Sequence, residues 1–148
     1  MFTSEIFRHK VIEIAKGETY VRAKTHREQI LKYLEAVGIK YYTNYCVAFV
    51  YWCYQNTTDQ FGYNYNPMPM TGSTGKLFNF AKRCGLFVDD PQYGDIYITG
   101  RKHHTGLVIE YNGKTSKTVE GNTYVGDYVW GVHERQSKDL TDAYFIRL

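Results

Sequence analysis

The spacing of apolar residues changes once along this chain, and that change limits the possible fold more than any other feature. Before residue 86, apolar side chains recur at helical spacing in three amphipathic stretches, residues 3–16, 26–38 and 76–85. From Gly94 onward the sequence is rich in β-branched and aromatic residues, with turn signals such as the Asn-Gly pair at 112–113. Helices followed by strands predict an α+β domain in which N-terminal helices pack on a C-terminal antiparallel sheet.

A fourth helix is predicted from Cys46 to about Gln55, where the sequence is apolar on nearly every side. Thr3 or Ser4 is suited to cap the first helix, and Gly38 and Gly85 to end two others. Residues 56–75 follow with three glycines and two prolines, which predicts a long loop of the kind that often carries function.

Length and cysteine content indicate one self-supporting domain. A chain of 148 residues without repeats or linkers can bury a sufficient core without disulfides or a structural metal. Its three cysteines cannot all pair and show no CxxC spacing, so reduced thiols are expected.

Charge and hydropathy exclude several classes of function. The net charge of +3 comes from scattered lysines and arginines, so no nucleic-acid partner is expected. No segment approaches the length of a membrane span or resembles a signal peptide. Synthesis in the cytoplasm, with no membrane insertion and no cleavable signal, is the expectation.

The nucleotide-binding and serine-hydrolase motifs fail. The stretch TGSTGKL lacks the glycine that a phosphate-binding loop needs at Met70 and the hydroxyl residue it needs at Leu77. No GxSxG elbow is present either.

A cysteine at the start of an apolar helix is the strongest chemical feature left. Helix N-termini and neighbouring imidazolium groups stabilise a thiolate, and Cys46 is in the first turn of the predicted helix. Cys53 lies in the apolar body of that helix and Cys84 ends another, so both are expected to be inert packing groups. A core role for Cys46 itself is an equally open alternative.

A histidine and a polar partner could complete a catalytic group with Cys46. His104 enters a predicted strand, and Glu120 and Asn122 lie in the next strand of the same hairpin. Residues two apart in a strand point to the same face, so either side chain could orient the imidazole.

The segments YCVAFVYWC, GDIYI, HTGLVIE and TVEGNT, in this order, resemble the CHAP family of cysteine- and histidine-dependent amidohydrolases and peptidases, which is related to NlpC-type cell-wall hydrolases. The resemblance runs from about Ile12 to Arg147 and implies a papain-like α+β fold in a single catalytic domain, residues 1–148. It implies Cys46 as nucleophile, His104 as general base and Glu120 as orienting acid, with Asn122 taking or sharing that last role. Gly94 and Asp95 match a structural turn.

The resemblance also implies a substrate. Family members cut amide bonds in peptidoglycan, so the expected partner is a stem peptide, a cross-bridge or the bond between N-acetylmuramic acid and L-alanine, cleaved at the cell wall. Tyrosines expected to line the groove are Tyr41, Tyr42, Tyr45 and Tyr63. Tyr45 stands where relatives carry tryptophan or glutamine. Residues 17–45 contain no aspartate, so neither the calcium that some relatives bind nor any other cofactor is expected.

Two other roles stay open at the level of sequence. The chain could be a catalytically silent binding or structural module, or a cysteine protease or deamidase that acts on a protein. An immunity protein, and phage or secretion machinery, are further possible partners of the chain in any of these roles.

Overall fold

A computed structural model describes residues 3–148 as four helices followed by six strands. The helices are α1 (Glu5–Gly17), α2 (Arg27–Ala36), α3 (Cys46–Phe61) and α4 (Thr74–Cys84). The strands are β1 (Phe87–Val88), β2 (Ile96–Ile98), β3 (Thr105–Tyr111), β4 (Thr115–Val125), β5 (Val129–Asp139) and β6 (Tyr144–Ile146). The predicted α+β class is confirmed, and the arrangement is consistent with a papain-like fold.

The strands form one antiparallel sheet in the order β1-β6-β2-β3-β4-β5. The Asn-Gly turn joins β3 and β4 as predicted. The side chain of Asn112 accepts from the backbone N–H groups of Lys114 and Thr115, and Gly113 adopts a φ of 97°. This tight hairpin places β3 and β4 side by side, with the residues just before β3 close to the middle of β4.

The helix ends follow their capping residues. The Ser4 hydroxyl accepts from the N–H of Phe7 at 3.1 Å, which begins α1. Gly85 adopts the left-handed conformation, with a φ of 66°, directly after α4.

The prediction of a loop over residues 56–75 is wrong for its first and last parts. Residues 56–61 continue α3, because their polar side chains bond within the helix: the Thr57 hydroxyl donates to the carbonyl of Cys53 at 2.8 Å. The helix stops only at Gly62, whose φ is 69°. At the other end, Ser73 caps α4, so the true connection is residues 62–73.

The core lies around α3, which packs against α1 and α2 on one side and against β3 and β4 on the other. Gly121 makes the contact with β4 possible. A Cβ atom there would lie 2.7 Å from Cβ of Phe49, closer than packed atoms approach. The helix that carries Cys46 therefore rests directly on the strand that carries Glu120.

A buried ionic cluster ties both chain ends to the sheet. The carboxylate of Asp95 is fully buried and accepts from Arg147 Nη2 at 2.7 Å and from the N–H of Gln92 at 2.7 Å. Arg8 Nε lies 3.8 Å from the same carboxylate. Gly94, with a φ of 87°, forms the turn against α1, so the structural role predicted for this turn is confirmed.

Within residues 3–148, no helix is both long enough and apolar enough to span a membrane.

Candidate active site

Cys46 is the first residue of α3, and its side chain faces the sheet. It is 5% exposed and lies close enough to His104 to raise the pKa of the imidazole. The N-cap residue, Tyr45, makes no side-chain bond to the first turn. The N–H groups of that turn therefore have no capping side chain and lie beside the sulfur, where they favour negative charge.

His104 lies immediately before β3 and faces Glu120 of β4. Its Nε2 donates to Oε1 of Glu120 at 3.0 Å. The carboxylate has no exposed surface, and the imidazole keeps 15% of its side-chain surface open to solvent. Because Nε2 is bound to the carboxylate, Nδ1 is the ring nitrogen that remains for the thiol.

The ionisation of this pair follows from its contacts. Burial acts to lower the pKa of His104, but its interactions with Cys46 and Glu120 outweigh burial and raise the pKa from 6.5 to about 9. Burial acts to raise the pKa of Glu120, yet the bond to His104 lowers it from 4.5 to about 2. At neutral pH the site thus favours an imidazolium between a carboxylate and the sulfur.

Two residues that the sequence did not reveal hold the far oxygen of Glu120. The Tyr97 hydroxyl donates to Oε2, and the Thr118 hydroxyl donates to the same atom at 2.6 Å. Burial and the charge of Glu120 raise the pKa of Tyr97, so its hydroxyl stays protonated and available as a donor. Thr118 could have been found, since it lies two residues before Glu120 in the same strand.

A glycine creates the space in which Tyr97 reaches Glu120. Gly106 is paired with Tyr97 across β2 and β3. A Cβ atom on Gly106 would lie 2.7 Å from the Tyr97 ring and 3.2 Å from Cβ of Glu120. The glycine of the HTGLVIE segment is therefore required for the carboxylate to be held from both sides.

Asn122 does not contact His104. A β-bulge between Glu120 and Thr123 interrupts the alternation of β4, and Asn122 adopts a left-handed φ of 55°. Its side-chain amide donates instead to Oδ1 of Asn44 at 3.2 Å. The expectation that Glu120 and Asn122 share one face is wrong, and the structure brings only Glu120 to the imidazole.

Of the four tyrosines expected to bind substrate, only Tyr42 lines a cleft beside the site. Tyr41 is exposed but borders none of the described cavities. Tyr45 is fully buried under the first turn of α3, so the expectation of substrate contact is wrong for its side chain. Its ring packs on Tyr33 and Tyr42 instead.

The expectation for Tyr63 is also wrong in position. It follows the C-terminal end of α3, about 24 Å from Cys46 along a helix of this length. There it stacks on Phe7 and lines a separate groove. Tyr63 therefore lies at the end of α3 opposite to the one that carries the Cys46 thiol.

Cys53, Cys84 and His103 lie in environments unlike those of Cys46 and His104. Cys53 is fully buried, and burial raises the pKa of its thiol, as expected for a packing group. Cys84 is exposed, so the expectation that it packs in the core is wrong: it ends α4 on the solvent side. His103 is exposed and points away from Glu120.

No group of three or more His, Cys, Asp or Glu side chains among residues 3–148 is arranged to hold a metal ion. The absence of a cofactor stays a prediction.

Comparison with known proteins identifies the family. A family model for the CHAP domain matches residues 36–122, a span that includes Cys46, His104 and Glu120. No curated protein and no solved structure gives a significant match to the chain. Because the matched span exceeds half of the 148 residues, the chain belongs to the CHAP domain family, a family of cysteine- and histidine-dependent amidohydrolases and peptidases.

Proposed function

We propose that this protein hydrolyses an amide bond of peptidoglycan, in the stem peptide, in a cross-bridge or at the link between N-acetylmuramic acid and L-alanine. One observation carries the proposal: the Cys46 thiol lies at a helix N-terminus beside His104, whose Nε2 is bonded to the buried carboxylate of Glu120. CHAP domains act on peptidoglycan-type substrates, which supports the choice of polymer. The cell wall is accordingly the proposed place of action.

The mechanism follows from the order of the three side chains, with His104 between Cys46 and Glu120. The Cys46 thiolate attacks the amide carbonyl carbon, and the oxygen that becomes negative is stabilised by N–H groups of the first turn of α3. The C–N bond breaks as His104 Nδ1 gives its proton to the departing amine, which leaves a thioester. His104 then takes a proton from water, whose oxygen attacks the thioester and releases the acid and the thiol. Glu120 keeps the imidazole oriented and stabilises its charged form.

The proposal is tested with purified cell walls and mass spectrometry of the released muropeptides. Cys46→Ala is expected to abolish release while its circular dichroism spectrum stays that of the parent protein, because only the nucleophile is removed. Cys84→Ala is the matched control, since it removes an exposed thiol outside the site, and full activity is expected. Release that survives Cys46→Ala would contradict the mechanism. A protein that cleaves peptides or side-chain amides of proteins but not cell walls would contradict the choice of polymer.

A further inference from the structure

A cleft of about 640 Å³ lies beside the proposed catalytic group, between residues 22–25 and the tip of the β4–β5 hairpin. Its floor is fixed by backbone pairing: the N–H of Ala23 donates to the carbonyl of Trp130 at 2.9 Å, and the N–H of Val132 donates to that of Val21 at 3.0 Å. Gly131 permits this approach, since a Cβ atom there would lie 2.2 Å from the Val21 oxygen. The cleft is therefore a formed feature of the fold.

Two asparagines that line the cleft are close neighbours in sequence of the catalytic group. Asn44 is two residues before Cys46, and Asn122 is two residues after Glu120. Both line the cleft, and their side chains are bonded to each other at 3.2 Å. The asparagine pair therefore lies on the side of the cleft nearest to the catalytic group, within reach of a group next to an amide carbonyl at the Cys46 sulfur.

Exposed aromatic rings form one wall of the cleft. Tyr128 is 70% exposed and Trp130 is 43% exposed, although tryptophan is highly buried on average and tyrosine is intermediate. Each ring lies 4.8 Å, between centroids, from the ring of Tyr124, which holds both in place. Such open aromatic faces are suited to stacking on a flat ligand with apolar C–H groups and polar edges.

The charges around the cleft argue against an acidic peptide as the occupant. Arg22 Nη1 donates to the carbonyls of Thr19 and Val21 at 2.7 and 2.9 Å, so backbone groups already occupy this guanidinium. Lys24 and Asp127 line the cleft with opposite charges. Apart from these two opposite charges, the groups left for recognition are neutral: asparagine amides and aromatic faces.

We propose that this cleft binds the N-acetylated sugar ring attached to the scissile amide. The rings of Tyr128 and Trp130 stack on the C–H face of the pyranose, and the amides of Asn44 and Asn122 bond its N-acetyl or hydroxyl groups. This inference rests on the proposed function and deepens it, because among the peptidoglycan amide bonds formed by amino acids only the one between N-acetylmuramic acid and L-alanine lies next to a sugar. The protein is on this basis an N-acetylmuramoyl-L-alanine amidase.

Binding is measured on Cys46→Ala protein, which cannot turn over substrate, with the peptide-free disaccharide of N-acetylglucosamine and N-acetylmuramic acid. Calorimetry gives the affinity, and the indole N–H resonance of Trp130 reports where the ligand binds. Adding Trp130→Ala is expected to weaken binding about tenfold, the loss of one aromatic stacking contact. Tyr65→Ala is the matched control, since this exposed tyrosine lies in the groove at the far end of α3, and unchanged affinity is expected.

Tyr128→Ala, at a still more exposed position, provides a second variant if Trp130→Ala does not fold. Equal disaccharide affinity in the parent and in both variants would overturn the proposal. So would a variant that loses affinity only for the sugar-free stem peptide, because the cleft would then be a peptide site.

Parallel digestion of cell walls separates the two proposals. Disaccharide binding that depends on Trp130, in a protein that releases nothing from walls, contradicts the proposed function and leaves the sugar site standing. Wall hydrolysis with disaccharide binding that is independent of Trp130 and Tyr128 contradicts the sugar site alone. An amidase is further expected to release free stem peptides that begin with L-alanine.

Discussion

Glu120 has no surface exposed to solvent, yet its carboxylate is provided with three side-chain donors. His104 donates to one oxygen, while Tyr97 and Thr118 donate to the other. A buried carboxylate without such donors would destabilise the fold. With them it is held in one position, where it can orient the imidazole. Lys138, whose Nζ lies 3.9 Å from Oε1, adds further positive charge. We therefore assign the orientation of His104 to this residue and not to Asn122.

Exchange of Glu120 for glutamine keeps the volume and removes the charge. Glu120→Gln is expected to lower the pKa of His104, since the raised value depends on the bond and charge of the carboxylate. The His104 ring resonance, identified with a His104→Gln variant, should then titrate at lower pH in NMR spectra, and hydrolysis should fall about a hundredfold or more.

Asn122→Gly is the control for that exchange. Glycine accepts the left-handed φ of 55° and removes only the bond to Asn44, so the His104 titration is expected to stay unchanged. A His104 pKa that moves in Asn122→Gly and stays in place in Glu120→Gln would contradict the assignment.

Sequence reasoning brings Cys46, His104 and Glu120 together because each belongs to a motif and to a regular element. The role of Tyr97 could not be predicted in this way, because its contact with Glu120 depends on strand register across β2, β3 and β4. The contact also depends on the missing side chain of Gly106. Asn122 is misplaced for a related reason: one bulge reverses the alternation, and nothing in a single sequence announces it.

At the scale of elements, the site depends on how closely α3 lies on β4. Phe49 of the helix rests on the backbone of Gly121, one residue after Glu120. The same packing places Cys46 opposite His104, because both the thiol and the carboxylate are fixed by this one contact between helix and strand.

Gly121→Ala is expected to destabilise the protein by about 2 kcal/mol, since the added Cβ would lie 2.7 Å from Phe49 Cβ and force α3 away from the sheet. Urea unfolding gives this value, and cell-wall hydrolysis should fall as the helix shifts. Gly17→Ala is the matched control. It lies at the exposed end of α1 with no atom within 4 Å of the added Cβ, and a neutral or slightly stabilising effect is expected. Equal stability of the two variants would contradict the close contact.

The elements themselves could be predicted more completely than the connections between them. Three helices show an apolar periodicity and α3 is apolar on nearly every side, while each long strand has a β-rich composition. The two-residue strand β1 is too short for any such pattern and exists because β6 pairs with it. The last turns of α3 looked like a loop because their side chains are polar, although Thr57 and Thr58 are buried.

For the molecule as a whole, the His104 and Glu120 pair links catalysis to stability. The folded protein raises the pKa of His104 from 6.5 to about 9, so this contribution to stability is complete below pH 6.5 and is lost as the pH rises through 9. It lowers the pKa of Glu120 from 4.5 to about 2, so that contribution is complete above pH 4.5 and is lost as the pH falls through 2. Both are present together between about pH 4.5 and 6.5.

Thermal unfolding of the protein and of His104→Gln across this range tests the linkage. The difference in Tm is expected to be largest between pH 4.5 and 6.5 and to shrink steadily toward pH 9. A difference that grows toward alkaline pH would show that His104 is held neutral in the folded state.

The three thiols occupy three different environments, so the natural cysteines can serve as probes of the protein's conformation. Cys84 is open to solvent at the end of a helix, Cys46 lies at the beginning of another beside a histidine, and Cys53 is sealed in the core. The rate at which a reagent modifies each thiol therefore reports a different property. Cys84 reacts without any opening of the structure, and the rate at Cys46 reports whether the catalytic site is intact. The rate at Cys53 reports how often the protein unfolds globally, and no probe has to be introduced.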